Sequence, residues 1–392
     1  MTTLLRADRI VTATDDLRDA WMVVDDAGAT ADRSGVVTAD RSGVVTADRS
    51  GVVVAIGTGT PPTTDSATTV AGTIVPGMAD LHAHGALGHD FAACTADDAV
   101  AAAAHHRAHG TTTLVASIAT GTPDDTVAAL RRLRPLVGDG TLGGLHLEGP
   151  WLSPARRGAH RADLLHPPTP TEVDRYLDAA DGALAIVTLA PELPGALDTV
   201  QRLVAEGIVV AIGHTDATAD QARRAVDAGA TLVTHLFNGM PPLHHREPGP
   251  VGVALTDDRL VVECIVDGHH LDPVAVDLVR RAAPGRMVLV SDAMSATGCP
   301  DGDHTIAGSA VSVRGGVAML RDGSSLAGST ITVADAVRRL LDSGTPLTEV
   351  VAAASTRPAR LLGRPAPLTV GAPADLVVLD DTHAVSTPVV VP

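Results

Sequence analysis

The sequence predicts an α/β protein: a (β/α)8 barrel with a small β-sandwich domain built from the two ends of the chain. Three observations lead there. Eight short aliphatic runs recur between Ile74 and Val290, most of them separated by helical stretches, which is the pattern of a parallel barrel. The first seventy residues are instead rich in β-branched residues and turns, and one late strand, Leu376-Val377-Val378-Leu379, falls outside the barrel count. Hydrophobic residues make up 45% of the 392 but aromatics only 1%, so the core is aliphatic, as buried parallel strands require. The expected division is 1–72 and 359–392 for the small domain, and 73–358 for the barrel.

Taken in order, the N-terminal segment contains an octad repeat at 31–54: Ala31–Thr38, Ala39–Thr46 and Ala47–Val54, each opening Ala-Asp-Arg-Ser-Gly-Val-Val. Three units of eight are too short for a solenoid and read as a local duplication that lengthens a hairpin or surface loop. The barrel strands are expected at Ile74–Leu81, Thr112–Ser117, Leu142–Leu147, Leu184–Leu189, Ile208–Ile212, Thr231–Thr234, Leu260–Val266 and Met287–Val290. Helices are expected at Thr95–His109, Asp124–Val137, Asp220–Ala228 and Leu271–Ala283. Thr169-Pro170-Thr171-Glu172 and Thr218-Ala219-Asp220-Gln221 both read as capping boxes, the first with Pro at the first helical position.

Composition excludes several function classes. All 29 basic residues are arginine, and 46 acidic ones leave a net charge of −17, which is unsuited to general nucleic-acid binding. No apolar run is long enough to span a membrane. Met1–Asp15 carries two arginines and no signal-peptide core, so a cytoplasmic location is expected. Cys94, Cys264 and Cys299 are odd in number and far apart, which fits reduced thiols better than disulfides or a zinc finger.

Metal-competent and titratable residues fall at the C-terminal ends of the aliphatic runs. His82 and His84 follow the first, Glu148 the third, His214 the fifth, His235 the sixth, His270 the seventh and Asp292 the eighth. In a barrel those ends form a single mouth, so scattered positions converge. His82-Ala83-His84 puts two imidazoles on one face of an extended segment, where they can grip one divalent ion.

A family resemblance rests on these motifs. Pro76 to Gly85 resembles the metal-binding opening of the amidohydrolase superfamily. His146-Leu147-Glu148-Gly149-Pro150-Trp151, Gly158-Ala159-His160, Gly213-His214-Thr215 and Thr234-His235-Leu236-Phe237-Asn238-Gly239-Met240-Pro241 narrow it. Arg246-Glu247-Pro248-Gly249, Asp267-Gly268-His269-His270 and Ser291-Asp292-Ala293 narrow it further. Together, from about Thr73 to Asp380, they resemble the N-acetylglucosamine-6-phosphate deacetylases. The octad repeat is not part of the resemblance.

The resemblance implies a metal-dependent hydrolase of amino-sugar catabolism and cell-wall recycling. It would release acetate from N-acetylglucosamine 6-phosphate and leave glucosamine 6-phosphate. Many superfamily members bridge two metals with a carbamylated lysine; this chain has no lysine, and the family uses a glutamate, here Glu148. His214 and His235 would complete one site, and His82 and His84, with Glu148 and Asp292, a second. The ions would be divalent, zinc before iron, manganese or cobalt. A bound ion lowers the pKa of its water from about 15.7 to roughly 7, and the hydroxide attacks the acetyl carbonyl. Asp292 would be general base and then acid, and His270 would bond the carbonyl oxygen or steady the sugar; its neighbour His269 reads as a bystander. The resemblance gives the phosphate to Asn238, the Gly239 amide and Arg246, the arginine reaching across a homodimer, with His244 and His245 beside it. Many relatives carry Ala where Gly239 stands. Ala159, His160, Leu326, Ala327 and Gly328 match further sugar-contacting loops. Two alternatives stay open on the residues: another amidohydrolase, such as a dihydroorotase or acyl-amino-acid deacetylase, and a sugar-phosphate-binding regulator without turnover.

Overall fold

The computed structural model describes residues 1–25 and 51–386. The octad repeat up to Ser50 lies outside the described residues. The chain divides into two compact units: Met1–Ala79, His106–Thr113 and Val337–Pro392 form one, and Asp80–His105 with Leu114–Ala336 the other. Residues 73–79, 106–113 and 337–358, expected in the barrel from the sequence, group by their contacts with the first unit, although Met78, Ala79 and Thr111–Thr113 are strand residues of the eight-stranded sheet.

The first unit is organised on a six-stranded sheet ordered β19-β18-β4-β1-β2-β3. Its strands are β1 (Thr2–Val11), β2 (Asp16–Asp25), β3 (Val52–Thr58), β4 (Ser66–Pro76), β18 (Leu376–Leu379) and β19 (Val385–Ser386). The chain ends share it because β18 pairs antiparallel with β4, Val377 opposite Val75. Leu5, Ile10, Met22, Val24, Ile74, Leu368 and Leu376 form its buried core.

The second sheet holds β5 (Met78–Ala83), β8 (Thr111–Ala119), β9 (Gly144–Glu148), β10 (Leu184–Leu189), β11 (Val209–Ile212), β12 (Leu232–Val233), β13 (Val261–Ile265) and β14 (Met287–Val290). These eight strands run in the order β14-β13-β12-β11-β10-β9-β8-β5. All eight expected runs are present, with one correction. Ile74–Leu81 is two strands rather than one, because the chain leaves the first sheet after Pro76 and enters the second at Met78. Gly77 makes the turn; a Cβ there would collide with the Thr112 side chain. The barrel closes at its mouth, where Asp292 N donates to His82 O at 2.8 Å and His84 N donates to Ala293 O at 2.7 Å. The buried Asp80 carboxylate, pushed up to about 6 by burial, reinforces the seam by accepting from Ser291 N at 3.1 Å and from Ser291 Oγ.

Two short strands, β6 (Gly85–Ala86) and β7 (His89–Asp90), follow the first barrel strand. An antiparallel sheet of β15 (Gly302–Ile306), β16 (Ser309–Arg314) and β17 (Val317–Leu320) follows the eighth, in a stretch that the sequence reading left unassigned. The expected helices lie at Ala96–Ala108, Pro123–Gly138, Ala219–Asp227 and Pro273–Ala282. The Thr218 capping box is complete, with Gln221 Oε1 accepting from Thr218 N at 2.8 Å. The Thr169 box is only half made. Thr169 Oγ1 accepts from Glu172 N, but the Glu172 carboxylate turns inward to accept from Trp151 Nε1 at 2.9 Å and Tyr176 Oη at 2.8 Å. Two buried donors outcompete the exposed cap amide, because leaving them unpaired costs more. No helix among the described residues is long and apolar enough to cross a membrane.

One buried arginine anchors the segment after β12. Arg286 donates to the carbonyls of Ala254, Leu255 and Leu260, each at 2.7 Å. Two of these belong to the last turn of the helix Gly249–Thr256, whose carbonyls have no intrahelical partners and carry the negative end of the helix dipole. Arg286→Met should therefore destabilise the protein by about 2–4 kcal/mol, since it strands three acceptors bonded to a charge. Urea unfolding followed by circular dichroism reads this, and an unchanged midpoint would rule out the anchoring role.

Candidate metal centre

The donors meet at Glu148, the last residue of β9. Its Oε1 lies 3.1 Å from His214 Nε2 and 3.2 Å from His235 Nε2, and those two nitrogens are 3.0 Å apart. His84 Nε2 lies 3.1 Å from Oε2, and His82 Nε2 lies 3.5 Å from Oε1. The His82 and His84 Nε2 atoms are 3.1 Å apart, and Asp292 Oδ1 lies 3.5 and 3.4 Å from them. Two histidine pairs thus flank one carboxylate, and Asp292 stands beside the first pair. All six residues are buried.

The hydrogen bonds behind the rings decide what the front atoms can do. His214 Nδ1 lies 2.8 Å from Arg156 O, a carbonyl that only accepts, so the neutral ring carries its proton on Nδ1. Its Nε2 lone pair then faces a carboxylate oxygen. The same holds for His82, whose Nδ1 lies 3.2 Å from Glu263 Oε2. A neutral ring so held sets lone pair against lone pair in a buried site, which positive charge between them, a proton or a metal ion, relieves. The spacing fits a metal: donors tetrahedrally placed about 2.1 Å from a shared ion lie about 3.4 Å from one another.

Electrostatics agree. Burial alone would lower the His82 pKa, but Glu148 and Asp292 outweigh it and hold it well above the ordinary value. Burial would raise the Glu148 carboxyl, but His82, His160 and His214 outweigh that and hold it well below the usual range. Such a donor set is completed by positive charge.

His160 plays a different part. Its Nδ1 accepts from Thr120 N at 3.4 Å, which leaves the proton on Nε2, 3.3 Å from Glu148 Oε2. Burial, only partly offset by Glu148, pushes its pKa down to about 4, so the ring is a neutral donor that holds Glu148. His270 Nδ1 is 2.7 Å from Asp267 Oδ2, and the other Asp267 oxygen accepts from His269 N and His270 N. Burial would raise the Asp267 carboxyl, but these partners hold it at about 2.

The backbone places these side chains at some cost. His214, His235 and Asp292 have φ of 44°, 26° and 49°, a left-handed conformation that non-glycine residues avoid. Each stands just past the end of its strand, where the chain swings outward. Gly239 allows the loop from β12 to approach His214: its φ is 63°, and a Cβ would lie 2.9 Å from His214 Nδ1.

A cleft opens over the centre. His84, Glu148, His214, His235 and Asp292 line its floor, and Ala159, His160, Asn238, Gly239, His270, Leu326 and Gly328 its walls. His82 lies behind the floor. Ala327 does not reach the cleft; its side chain packs with Met294, Ile306 and Val311. Nor does Arg246, which is exposed and lines a separate cavity with Arg156, Arg223 and His244. Its Nη1 lies 2.8 Å from His245 Nε2. His269 is exposed.

The sequence reading missed three supporting groups: Glu263, the orienting role of Asp267, and His146. The His146 ring lies beneath the centre, bonded to Ser117 and Thr188, and burial drives its pKa well below the ordinary value. Glu263 did leave a signal, as a lone carboxylate inside an aliphatic strand.

Comparison with known proteins accords with this architecture. The amidohydrolase family pattern matches residues 73–391. The chain is 39% identical over 295 residues to the N-acetylgalactosamine-6-phosphate deacetylase of Escherichia coli O157:H7, covering 74% of this chain and 78% of that one. It is 38% identical over 295 residues to the N-acetylglucosamine-6-phosphate deacetylase of Vibrio furnissii, covering 74% of each. A solved mutant of the N-acetyl-D-glucosamine-6-phosphate deacetylase of Mycobacterium smegmatis, in complex with N-acetyl-D-glucosamine-6-phosphate, superposes with a TM-score of 0.87. It is 43% identical, over 98% of this chain and 96% of that one. With the family pattern spanning every residue of the centre, the chain belongs to the amidohydrolase family.

Proposed function

We propose that this hydrolase removes the acetyl group of N-acetylglucosamine 6-phosphate, releasing acetate and glucosamine 6-phosphate. One observation carries the reading: two histidine pairs share Glu148, with Asp292 beside them, on the floor of a cleft walled by polar groups suited to a sugar. The names of its relatives support the substrate class.

His214, His235 and Glu148 would hold one divalent ion, and His82, His84, Glu148 and Asp292 a second. Nitrogen and carboxylate donors at this spacing suit zinc, and also accept iron, manganese or cobalt. Ions so held lower the pKa of a water and polarise a carbonyl. The Asp292 carboxylate takes the proton from the nucleophilic water and returns it to the leaving nitrogen. His270, oriented by Asp267, offers Nε2 to the substrate carbonyl or a sugar hydroxyl. Asn238 and the Gly239 amide face the same cleft and would meet the phosphate. Arg246 lines another cavity of its own chain, so a phosphate contact from it comes from a second copy in a homodimer.

The E. coli relative, named for the galactosamine sugar, favours a second substrate that differs only at C4. Comparing rates on the two N-acetyl sugar phosphates and on an acyl amino acid tests the assignment; faster turnover of the acyl amino acid would reject it.

Three outcomes follow. Chelation should abolish turnover, and His82→Gln with His84→Gln should lower bound metal from two ions to one per subunit by elemental analysis. Activity in a verified metal-free sample, or unchanged stoichiometry in the double variant, contradicts the centre as drawn.

Asp292→Asn should cut kcat by roughly 10²–10⁴ or more at full metal occupancy, since asparagine cannot carry the proton. A residual kcat above about a tenth of wild type ends the acid–base assignment.

Arg246→Ala should raise KM for the phosphorylated sugar roughly 10–100-fold, the worth of a charged hydrogen bond or two, and leave unphosphorylated N-acetylglucosamine unaffected. Mixing it with Asp292→Asn protein should regenerate active sites. Equal effects on both sugars contradict the phosphate role, and absent complementation contradicts the shared site.

A further inference from the structure

We propose that Glu263 is a positioning residue that commits His82 to metal binding and ties the two halves of the centre together. The proposal rests on the two-ion reading above.

Glu263 is fully buried in the middle of β13, and its strand neighbours Val262, Cys264 and Ile265 are all apolar. A carboxylate at such a position is strongly unfavourable unless a positive charge answers it. No arginine bonds it among the described residues. Its Oε2 accepts instead from two different histidines: the His82 ring through Nδ1 at 3.2 Å, and the His235 backbone N at 3.1 Å. Oε1 has no hydrogen-bond partner among the described residues.

This geometry has a direct chemical reading. By holding the His82 proton on Nδ1, Glu263 leaves the Nε2 lone pair free, aimed at Glu148 and Asp292. The negative charge behind the ring makes Nε2 a better donor, as outer carboxylates do for metal-bound histidines. The positive charge that answers Glu263 is therefore the one His82 binds. The same oxygen fixes the backbone of His235, a ligand of the other half. One buried group thus sets the distance between the two sites.

Glu263→Gln keeps the shape and removes the charge, and its amide NH2 can turn toward Nδ1 and reverse the His82 tautomer. Zinc titration of metal-free protein, followed by calorimetry, should show two ions in wild type. In the variant the His82–His84 ion should bind roughly 10–100-fold more weakly, and the His214–His235 ion, whose ligand loses only a backbone contact to the same oxygen, should weaken several-fold less than that. Saturating zinc should restore kcat, which a structural defect would not allow. Thermal melting of both metal-free proteins checks the fold. In zinc-loaded wild type labelled with 15N-histidine, a protonated Nδ1 should be seen at His82, identified by its loss in His82→Gln. Equal zinc affinities in wild type and variant, equal weakening of both ions, or a His82 protonated on Nε2 overturns the proposal while leaving the metal centre standing. A wild type that takes up a single ion overturns the two-ion reading and this proposal together.

Discussion

The structure of the centre depends on one carboxylate serving two pairs of imidazoles. Glu148 reaches four histidine Nε2 atoms of the two pairs within 3.1–3.5 Å, one pair on each side. Behind two of the rings an acceptor holds the proton on Nδ1, so a neutral His214 and a neutral His82 set lone pairs against its oxygens in a buried space. Everything around them makes the arrangement unavoidable. Arg156 O and Glu263 take the protons behind the rings, His160 pins the carboxylate, and the strands prevent the side chains from drifting apart. The protein holds an electrostatic demand in place, and the demand is for positive charge.

The backbone absorbs part of the cost. His214, His235 and Asp292 all sit in left-handed conformations, and each follows a strand of the barrel. Strand hydrogen bonds hold the chain up to that residue, and the turn beyond it aims the side chain across the mouth. The conformation is tolerable because the surrounding sheet over-determines it. Glycine is then needed where a loop must pass close to a ring already fixed, as at Gly239.

Much of this was legible in the sequence, for a physical reason. Parallel strands buried on both faces must be aliphatic, so eight runs stood out, and the polar residues ending them marked the mouth. His82, His84, Glu148, His214, His235 and Asp292 were readable from position alone. What was hidden depends on partners distant in sequence. Glu172 looks like a capping residue until Trp151 and Tyr176 arrive beside it. The break at Gly77 shows only once β4 and β5 are seen in different sheets. Glu263 reads as an interruption in an apolar strand until His82, 181 positions away, is placed against it. Arg246 illustrates the converse: its motif is plain in the sequence, but the residue lines a cavity apart from the cleft.

The seam between His82 and Asp292 bears on how the protein comes into being. His82 and His84 come before the eighth strand in the chain, and Asp292, which stands beside them, lies just past its end. The six-stranded sheet has the same character, since β4 receives β18, and Leu376 lies opposite Pro76. A nascent chain can therefore gather histidines long before it can close around them. Both closures are pairings between segments distant in sequence, and each waits until a long intervening stretch of chain has been made.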